Sequence, residues 1–327
     1  QTFTSTFTTQ YDALRKTVAD GISYALDPQT QQATITAVNA DFDGVIPQNV
    51  VHTLYETKTY AVTGLRKLSA TSLTELTIPD NIVFIENGAL NGCNALQRLS
   101  LPFLGNSADD SVNAFLGQIF GANSAAEQTS YIPSVLREIT VRGGSIAAEA
   151  FAGCNAVTEL RFGKNVQSIV LTAFNGCSAL VDVHVDSGNA AYSSSDGLIY
   201  NVSQDELLFV PVQKQEIQLS DSLLQLTLKS LFSACLNLTS IQIGASTANI
   251  DFTVFENCSA LSQVQVSKDN TSYAAQSGIV YDKSFATVLF APRAVTSVDF
   301  AQGVTAIVAD AFSSCAAVEN IVVPDTV

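Results

Sequence analysis

Six cysteines in the same local setting constrain the fold of this chain more than any other sequence feature. Aliphatic or aromatic residues follow each cysteine at three, six and eight positions, and an aromatic residue precedes five of the six at three positions. The six are Cys93, Cys154, Cys177, Cys235, Cys258 and Cys315. The spacing from Cys154 to Cys177 is the shortest, and it is identical to the spacing from Cys235 to Cys258. A template that recurs in this way indicates a repeat protein built from stacked coils.

The residues that follow each cysteine alternate between apolar and polar, which is the pattern of a strand with one buried face. Counting each strand by its last inward residue predicts ten strands. These residues are Ile78, Leu101, Val141, Phe162, Val185, Leu219, Ile243, Val266, Phe300 and Val323. Stacked in parallel at about 4.8 Å, they would form a continuous ribbon. The Ala-Phe-x-x-Cys half of each repeat would supply a short helical or 3₁₀ turn on the opposite wall.

The chain also repeats at a longer distance, which we call the long period. One long period separates residues 189–211 (NAAYSSSDGLIYNVSQDELLFVP) from the similar residues 270–292 (NTSYAAQSGIVYDKSFATVLFAP). Each segment is predicted to hold two short strands joined by polar turn residues, at 197–200 with 207–210 and at 278–281 with 288–291. We therefore expect two β-hairpins inserted into the stack.

The repeat resembles that of the BspA-like leucine-rich-repeat family, whose motif is similar to I-P-x-x-V-x-x-I-x-x-x-A-F-x-x-C-x-x-L-x-x-I-x-I-P. Residues 78–101 (IPDNIVFIENGALNGCNALQRLSL) follow this motif, with Leu90 in place of the phenylalanine. The resemblance covers residues 72–327 and is looser over residues 21–65. It implies a leucine-rich-repeat solenoid with a parallel concave sheet, and a protein displayed on the surface of a bacterium or a parasitic protist.

We accordingly expect residues 1–71 to form an N-terminal cap with irregular first repeats, and residues 72–327 to form the solenoid, as a single continuous domain. Residues 10–20 (QYDALRKTVAD) are predicted to form a short amphipathic helix that ends at Gly21. The start at Gln1 suggests a mature chain whose targeting segment has been removed. Residues 321–327 (IVVPDTV) match the point at which another repeat would begin, so the chain is either cut there or ends on an exposed edge.

Composition argues against several classes of partner. The net charge of −15 and the thin spread of Lys and Arg are unsuited to nucleic acid, which requires a basic patch. No apolar run approaches the roughly 18 to 20 residues of a membrane span, so membrane insertion is not expected. A glycine-rich phosphate cradle after a strand is also absent from the sequence, and no cofactor is predicted.

The stacked cysteines could either pair as disulfides or remain a ladder of buried thiols. Equivalent residues of neighbouring coils lie close enough for a disulfide, but their parallel Cα–Cβ vectors oppose the roughly 90° torsion that the bond requires. A thiol ladder that fills a small apolar slot is therefore favoured. Zinc is not expected, since the sequence has neither C-x-x-C pairs nor clustered histidines.

Residues able to carry catalysis are few. His184 occupies an outward strand position, where it could contact a ligand or simply be solvated, and His52 lies in an irregular stretch. The serines lack a nucleophile-elbow motif, and the carboxylates are scattered where a glycosidase would pair them. Residues 39–44 mimic the start of an EF-hand loop, but Val50 stands where the bidentate Glu is needed, so an Asx-rich turn is expected.

Four N-x-S/T sequons are glycosylation candidates only if the source modifies its secreted proteins. They begin at Asn201, Asn237, Asn257 and Asn270. The sequon at Asn257 contains a core cysteine, which makes it a poor candidate.

The outward positions of the predicted ribbon form the candidate binding surface, which is polar, weakly charged and poor in aromatic residues. The candidate contacts are Arg161, His184, Gln218, Gln242, Gln265 and Asp299, with Arg161 and His184 as the first choice. The two hairpins are an alternative surface, although their tyrosines are expected to pack locally. These tyrosines are Tyr192, Tyr200, Tyr273 and Tyr281.

From these observations we predict a non-catalytic scaffold, secreted or at the cell surface, that binds an extracellular protein or glycan. Adhesion, or interaction with host proteins, is what the family resemblance implies. The alternative is a structural spacer that displays another domain, one not contained in this chain.

Overall fold

Short β-strands and 3₁₀ turns make up the computed structural model, which describes residues 15–53, 56–110, 114–313 and 315–327. The chain divides into two compact units after Ser178, and each unit is described separately. The strands of the first unit are β1 (Lys16–Ala19), β2 (Ile22–Asp27), β3 (Gln32–Val38), β4 (Asn49–Thr53), β5 (Thr57–Leu65), β6 (Glu75–Thr77), β7 (Phe84–Ile85), β8 (Arg98–Leu101), β9 (Glu138–Ile146) and β10 (Glu159–Ile169).

The second unit contains thirteen strands among its described residues. They are β11 (Asp182–Val185), β12 (Tyr192–Ser195), β13 (Leu198–Asn201), β14 (Leu207–Phe209), β15 (Glu216–Gln218), β16 (Gln225–Leu226), β17 (Ser240–Ile243), β18 (Asn249–Ile250), β19 (Gln263–Val266), β20 (Tyr273–Gln276), β21 (Ile279–Asp282), β22 (Thr287–Phe290) and β23 (Ala306–Ile307).

The first unit opens with a largely antiparallel sheet in the order β1-β2-β3-β5-β4, with β7 added beside β5. The predicted helix over residues 10–20 is wrong where the structure describes it, because Lys16–Ala19 is a strand paired antiparallel with β2. Residues 10–14 of that prediction lie outside the described residues. Thr17 and Val18 are β-branched, and Asp20 and Gly21 both have positive φ, 50° and 76°, so an Asp-Gly hairpin turn outweighs the helical pattern.

Parallel repeat strands follow this sheet in the first unit, where β6, β8, β9 and β10 are successive neighbours. In the second unit β15, β17 and β19 pair in the same way, with Ile217, Ile241 and Val264 in one line. These three side chains are at most 3% exposed, as the apolar alternation predicts. The opposite wall of the second unit carries the parallel pair β16–β18. The predicted leucine-rich-repeat architecture is confirmed.

The Ala-Phe-x-x-Cys halves form tight turns on the wall opposite the repeat strands. Five 3₁₀ segments are described, at Leu116–Phe120, Ala125–Ser130, Leu171–Phe174, Lys229–Phe232 and Phe252–Phe255. Three of them end on the phenylalanine that precedes a cysteine by three residues. This confirms the predicted placement of the helical half of the repeat.

All six cysteines are free thiols, and five of them are buried while Cys315 is partly exposed. Several thiols donate a hydrogen bond to a carbonyl of the preceding coil. Cys93 Sγ lies 2.9 Å from Leu68 O, and Cys177 Sγ lies 3.2 Å from Phe151 O. The predicted thiol ladder is therefore confirmed, and its hydrogen bonds join neighbouring coils.

The two inserts are three-stranded, because a strand precedes each predicted hairpin. In the first insert β12, β13 and β14 pair antiparallel in chain order, and β20, β21 and β22 repeat this arrangement in the second. The predicted hairpins are confirmed as the second and third strands of each insert.

Two of the ten predicted repeat strands are absent. Residues 298–300 and 321–323 are described and lie outside the strands. After the first insert, the Asp196 carboxylate accepts the backbone N–H of Gln218 at 2.7 Å and so anchors β15. The matching residue of the second insert is Ser277, which has no carboxylate. Segment 298–300 therefore has no such anchor, and segment 321–323 has no repeat strand beside it with which to pair.

Candidate functional site

A row of glutamines crosses the repeat strands of the second unit. The register of β15, β17 and β19 aligns Gln218, Gln242 and Gln265, each on a neighbouring strand and each pointing away from the buried alternate residues. Gln218 and Gln265 are exposed and Gln242 is half-buried. We call these three residues the glutamine row. Within the described chain, no side-chain hydrogen bond joins their amides to another protein group.

The position two residues before the glutamine row forms a second line, Glu216, Ser240 and Gln263. Each amide of the row offers two donors and one acceptor at the strand spacing of about 4.8 Å. The two lines together form a polar strip that can bind hydrogen-bonding groups of a partner.

Arg161, a first-choice candidate, lies in the first unit, on β10. It shares its line with Thr77, Ser100 and Thr140 on the preceding strands. Its guanidinium forms an ion pair with Glu159 of the same strand and remains half-exposed. Arg161 is therefore accessible, with part of its charge already balanced.

Arg142, which the sequence did not single out, occupies the same face of the first unit. Its Nε lies 2.7 Å from Asp80 Oδ1, its Nη1 lies 2.5 Å from Ser100 Oγ, and its Nη2 donates to the carbonyl of Ile78. Three hydrogen bonds from one guanidinium join β9 to two earlier coils. Arg142 directly follows Val141, the last inward residue of its predicted strand, so the apolar alternation did not indicate that it would join the coils.

His184 and Asp299 both lie in the second unit. His184 is half-buried on β11, at the outward position that was predicted. Asp299 is exposed as predicted, but it is not on a strand, so the expected extension of the ribbon to this residue is wrong.

The turn of the first insert, at Asp196–Gly197, carries a cluster of charges that the sequence analysis missed. Lys214 Nζ lies 2.8 Å from Asp182 Oδ1 and 3.4 Å from Asp196 Oδ1, and the lysine side chain is only 11% exposed. We call these three residues the Lys214 cluster. An alignment of the two inserts indicates the cluster, because its three charged residues are replaced one long period later by the uncharged residues Val295, Gln263 and Ser277.

The tyrosines of the inserts have structural contacts. Tyr200 and Tyr281 are fully buried. The hydroxyl of Tyr273 donates to Ala248 O and accepts from Ile250 N–H, both at 3.2 Å, so it ties the second insert to the preceding coil. Local packing, the favoured interpretation of the sequence, is confirmed for these three.

Burial governs the chemistry of the thiols. It raises the pKa of Cys177 and Cys258 to about 12 and that of Cys235 to about 11, and it raises the pKa of Cys154 well above the usual range. A thiol with so high a pKa holds almost no thiolate at neutral pH and is a poor nucleophile. These side chains are therefore suited to packing.

The structure shows no arrangement of three or more His, Cys, Asp or Glu side chains that could hold a metal ion within its described residues. In the EF-hand-like segment, Asp43 Oδ1 accepts the backbone N–H of Val45 at 2.9 Å, and Gly44 has φ 90°. This is the predicted Asx turn. Among the helices of the described chain, none has the length and apolar character to cross a bilayer.

One of the four sequons is a structural element. Asn270 is 1% exposed, its amide donates to Gly244 O and Thr247 O at 2.8 Å each, and its Oδ1 accepts from Ser272 N and Tyr273 N. A glycan cannot be attached to an amide that is enclosed in this way.

Comparison with known proteins finds a match to the family model described as BspA type leucine rich repeat region, in six copies over residues 64–117, 128–203, 205–278 and 283–327. No curated protein matches the chain. A leucine rich cell surface protein from Faecalibacterium prausnitzii is 21% identical, with 95% of this chain and 89% of that chain covered and a TM-score of 0.35.

Two further solved structures are similar at lower identity. The pneumococcal vaccine antigen PcpA is 17% identical, with 79% of this chain and 71% of that chain covered and a TM-score of 0.37. A leucine-rich repeat protein from Bacteroides ovatus is 16% identical, with 92% and 81% covered and a TM-score of 0.34.

Proposed function

Because this chain belongs to the BspA-type leucine-rich-repeat family, we propose that it is a non-catalytic binding scaffold, secreted or at the cell surface, that engages an extracellular protein. The observation that carries the proposal is the glutamine row. Three amides, held in register by β15, β17 and β19 and not bonded to other described side chains, present hydrogen-bonding groups on a rigid sheet. Adhesion to a host protein is the biological role that we infer for it.

The net charge of the second unit indicates which kind of protein is suited to be its partner. The second unit, which carries the glutamine row, has fifteen acidic and five basic residues, and thus contributes −10 of the net charge of −15. Such a field attracts basic protein surfaces and raises their association rate at low ionic strength. The proposed partner is therefore a protein with a basic face. Arg161 in the first unit and His184 and Asp299 in the second stay candidate secondary contacts.

The test is a binding screen of the purified chain against arrayed extracellular-matrix proteins and glycans. The variant Gln218→Ala/Gln242→Ala/Gln265→Ala removes the glutamine row, and we expect it to weaken binding of a protein hit by at least tenfold. Gln225→Ala/Asn249→Ala is the matched control, because it removes two exposed amides that are in register on the β16–β18 pair.

Three outcomes decide the proposal. Loss of binding in the triple variant, with the control unaffected, supports it. Equal affinity of the triple variant and the unchanged chain would move the binding surface elsewhere, with Arg161→Glu and His184→Glu as the next variants. Failure to capture any matrix protein or glycan at micromolar concentration would favour the structural spacer.

A further inference from the structure

A small recess lies on the outward face of the second unit, over the repeat strands β15 and β17. It has a volume of about 270 Å³ and is lined by residues 216–218 and 240–242 together with Asp196 and Gln265. We call it the Ser240 recess. Its volume is just below the roughly 300 to 1,000 Å³ of sites that take a whole small molecule. The recess is therefore suited to one side chain of a larger partner.

A single small residue opens the recess. Ser240 stands five residues after Cys235, and its register places it between Glu216 on β15 and Gln263 on β19. The other five repeats carry a longer side chain at this position, namely Arg98, Glu159, Asp182, Gln263 and Asn320. Since side chains in register on neighbouring strands stand side by side, a serine among longer neighbours leaves a gap in the outward surface.

The recess offers hydrogen-bond acceptors that the protein itself does not use. Among the residues that the structure describes, Glu216 forms no ion pair, and neither its side chain nor those of Ser240 and the glutamine row are hydrogen-bonded. The lining contains two carboxylates, Glu216 and Asp196, and no basic residue. Carboxylate, amide and hydroxyl oxygens thus surround a space that holds no positive charge of its own lining.

Asp196 forms a fixed wall of the recess. Its Oδ2 accepts the backbone N–H of Gln218 at 2.7 Å, and its Oδ1 lies 3.4 Å from Lys214 Nζ. Lys214 lies closer to Asp182, at 2.8 Å, so it balances the charge of Asp196 only in part. An ionised carboxylate has about four lone-pair sites, and Asp196 therefore keeps acceptor capacity for a ligand.

We propose that the Ser240 recess binds the guanidinium group of an arginine side chain of the protein partner. A guanidinium is planar and carries five N–H donors in a rigid fork, so two of them can bond the Glu216 carboxylate while the others reach further oxygens. An ammonium is a compact point charge with three donors and is more strongly hydrated. A shallow recess with acceptors on several sides therefore suits arginine better than lysine.

The inference deepens the proposed function and rests on it, because it names the residue of the basic partner that enters the glutamine row. The negative charge of the second unit attracts basic surfaces of any kind. The Ser240 recess adds a choice between the two common basic side chains, since only the guanidinium matches acceptors that lie in different directions.

The test is an NMR titration of the full chain with blocked tripeptides at millimolar concentration, in which the side-chain amide signals of the glutamine row report binding. The probe is Gly-Arg-Gly. Gly-Lys-Gly keeps its charge, and Gly-citrulline-Gly keeps its planar shape without the charge. We expect the arginine peptide to bind at least about fivefold more tightly than the lysine peptide and at least about tenfold more tightly than the citrulline peptide.

Two variants place the binding in the recess. Glu216→Gln removes a charge at nearly constant shape and should weaken binding of the arginine peptide at least about fivefold. Glu206→Gln is its matched control, because Glu206 is an exposed carboxylate of the same unit outside the lining, and it should change the affinity less than about twofold. Ser240→Gln fills the gap with the side chain of the next repeat and should abolish the preference for arginine while both carboxylates remain. Urea unfolding verifies that each variant is folded.

Four results would overturn the proposal. They are unchanged amide signals with the arginine peptide, equal affinities for the arginine and lysine peptides, equal losses in Glu216→Gln and Glu206→Gln, and an undiminished arginine preference in Ser240→Gln. The third result would leave only a general attraction by charge.

The recess and the proposed function can fail separately, because Glu216→Gln and Ser240→Gln leave the glutamine row intact. Selective binding of the arginine peptide together with a failed screen of matrix proteins would contradict the host-protein role while supporting the recess. A matrix protein that requires the glutamine row but binds both variants at full strength would support the scaffold and overturn the recess.

Discussion

The buried hydroxyl of Tyr200 accepts a hydrogen bond from the backbone N–H of Ser220 at 3.2 Å. Tyr200 lies on the second strand of the first insert, and Ser220 lies two residues after β15, the repeat strand that follows the insert. The relationship recurs one long period later, where the hydroxyl of Tyr281 accepts the N–H of Ala301 at 3.2 Å. Each insert is therefore fastened to the next coil by a phenol within the core.

Tyr200→Phe is expected to destabilise the chain by about 1 to 3 kcal/mol, because it leaves the buried N–H of Ser220 without its acceptor. Urea unfolding measures this as a lower midpoint with an unchanged slope. Tyr131→Phe, at a tyrosine that is 41% exposed, is the control and should change stability by no more than about 0.5 kcal/mol. Equal midpoints for the two variants would contradict a structural role for the Tyr200 hydroxyl.

The buried thiols predict a loss of stability in alkali. Burial raises the pKa of Cys177 and Cys258 from 9.0 to about 12, so the unfolded chain ionises first as the pH rises. Their contribution is complete below pH 9 and is lost between about pH 9 and 12, at up to about 1.4 kcal/mol per thiol and pH unit. Urea unfolding at a series of pH values from 7 to 11 measures the slope.

Cys177→Ala/Cys258→Ala is the informative variant for this effect. Its stability at pH 7 should be lower, because small cavities form, but its decline above pH 9 should be shallower. Tyr200, whose pKa burial also raises to about 12, adds to the decline in both proteins and is followed separately by tyrosinate absorbance. Parallel pH profiles for the variant and the unchanged chain would show that the thiols do not cause it.

Asn270→Asp tests whether the amide at this sequon is structural. The substitution keeps the shape but places a carboxylate against the carbonyls of Gly244 and Thr247, to which Asn270 donates. We expect a loss of at least about 2 kcal/mol at pH 7. The loss should be smaller near pH 4, where a protonated carboxyl can donate one of the two bonds.

The exposed sequon at Asn237 provides the control for this experiment. Its amide donates only to Gln213 Oε1, at 2.7 Å on the surface. Asn237→Asp should therefore change the unfolding midpoint by an amount typical of a surface substitution, about 0.5 kcal/mol or less. If Asn270→Asp proves equally mild, the network around Asn270 does not hold the turn.

Lys214→Met is expected to destabilise the second unit by about 1 to 3 kcal/mol. It leaves the carboxylates of Asp182 and Asp196, each about one-third exposed, without the ammonium between them. Lys229→Met is the control, since Lys229 is 54% exposed and 3.6 Å from Glu256, a surface pair worth about 0 to 1 kcal/mol. An equal loss of stability in both variants would show that the Lys214 cluster contributes no more than an exposed ion pair.

The sequence determined the repeat architecture because the template around each cysteine carries its own physical reason. An apolar residue every second position must face inward, and parallel Cβ vectors prevent disulfides between stacked coils. Eight of the ten predicted repeat strands, both hairpins and the free thiols follow from these local rules. The match of the family model confirms the resemblance on which the fold was predicted.

Contacts between residues distant in sequence decided most of the features of the fold that the sequence did not predict. The exception is Lys16–Ala19, which pairs with β2 across the local Asp20-Gly21 turn that the helical prediction overlooked. Residues 298–300 lie outside the strands although their pattern matches that of β15, and the bond that Asp196 gives to β15 has no counterpart at Ser277. Arg142 forms an ion pair with Asp80, two coils earlier, which no local pattern predicts.

The candidate binding surface was likewise predicted in part by the sequence and decided in part by the tertiary structure. The outward positions of Gln218, Gln242 and Gln265 were read from alternation alone, since period two leaves every second side chain on the open face. The side-chain hydrogen bonds between a repeat strand and the following insert depend on single residues brought together by the fold. Ser194 of the first insert bonds the backbone of Val185, whereas Ala275, the matching residue of the second insert, has no hydroxyl, and this difference has meaning only once the tertiary structure places the residues side by side.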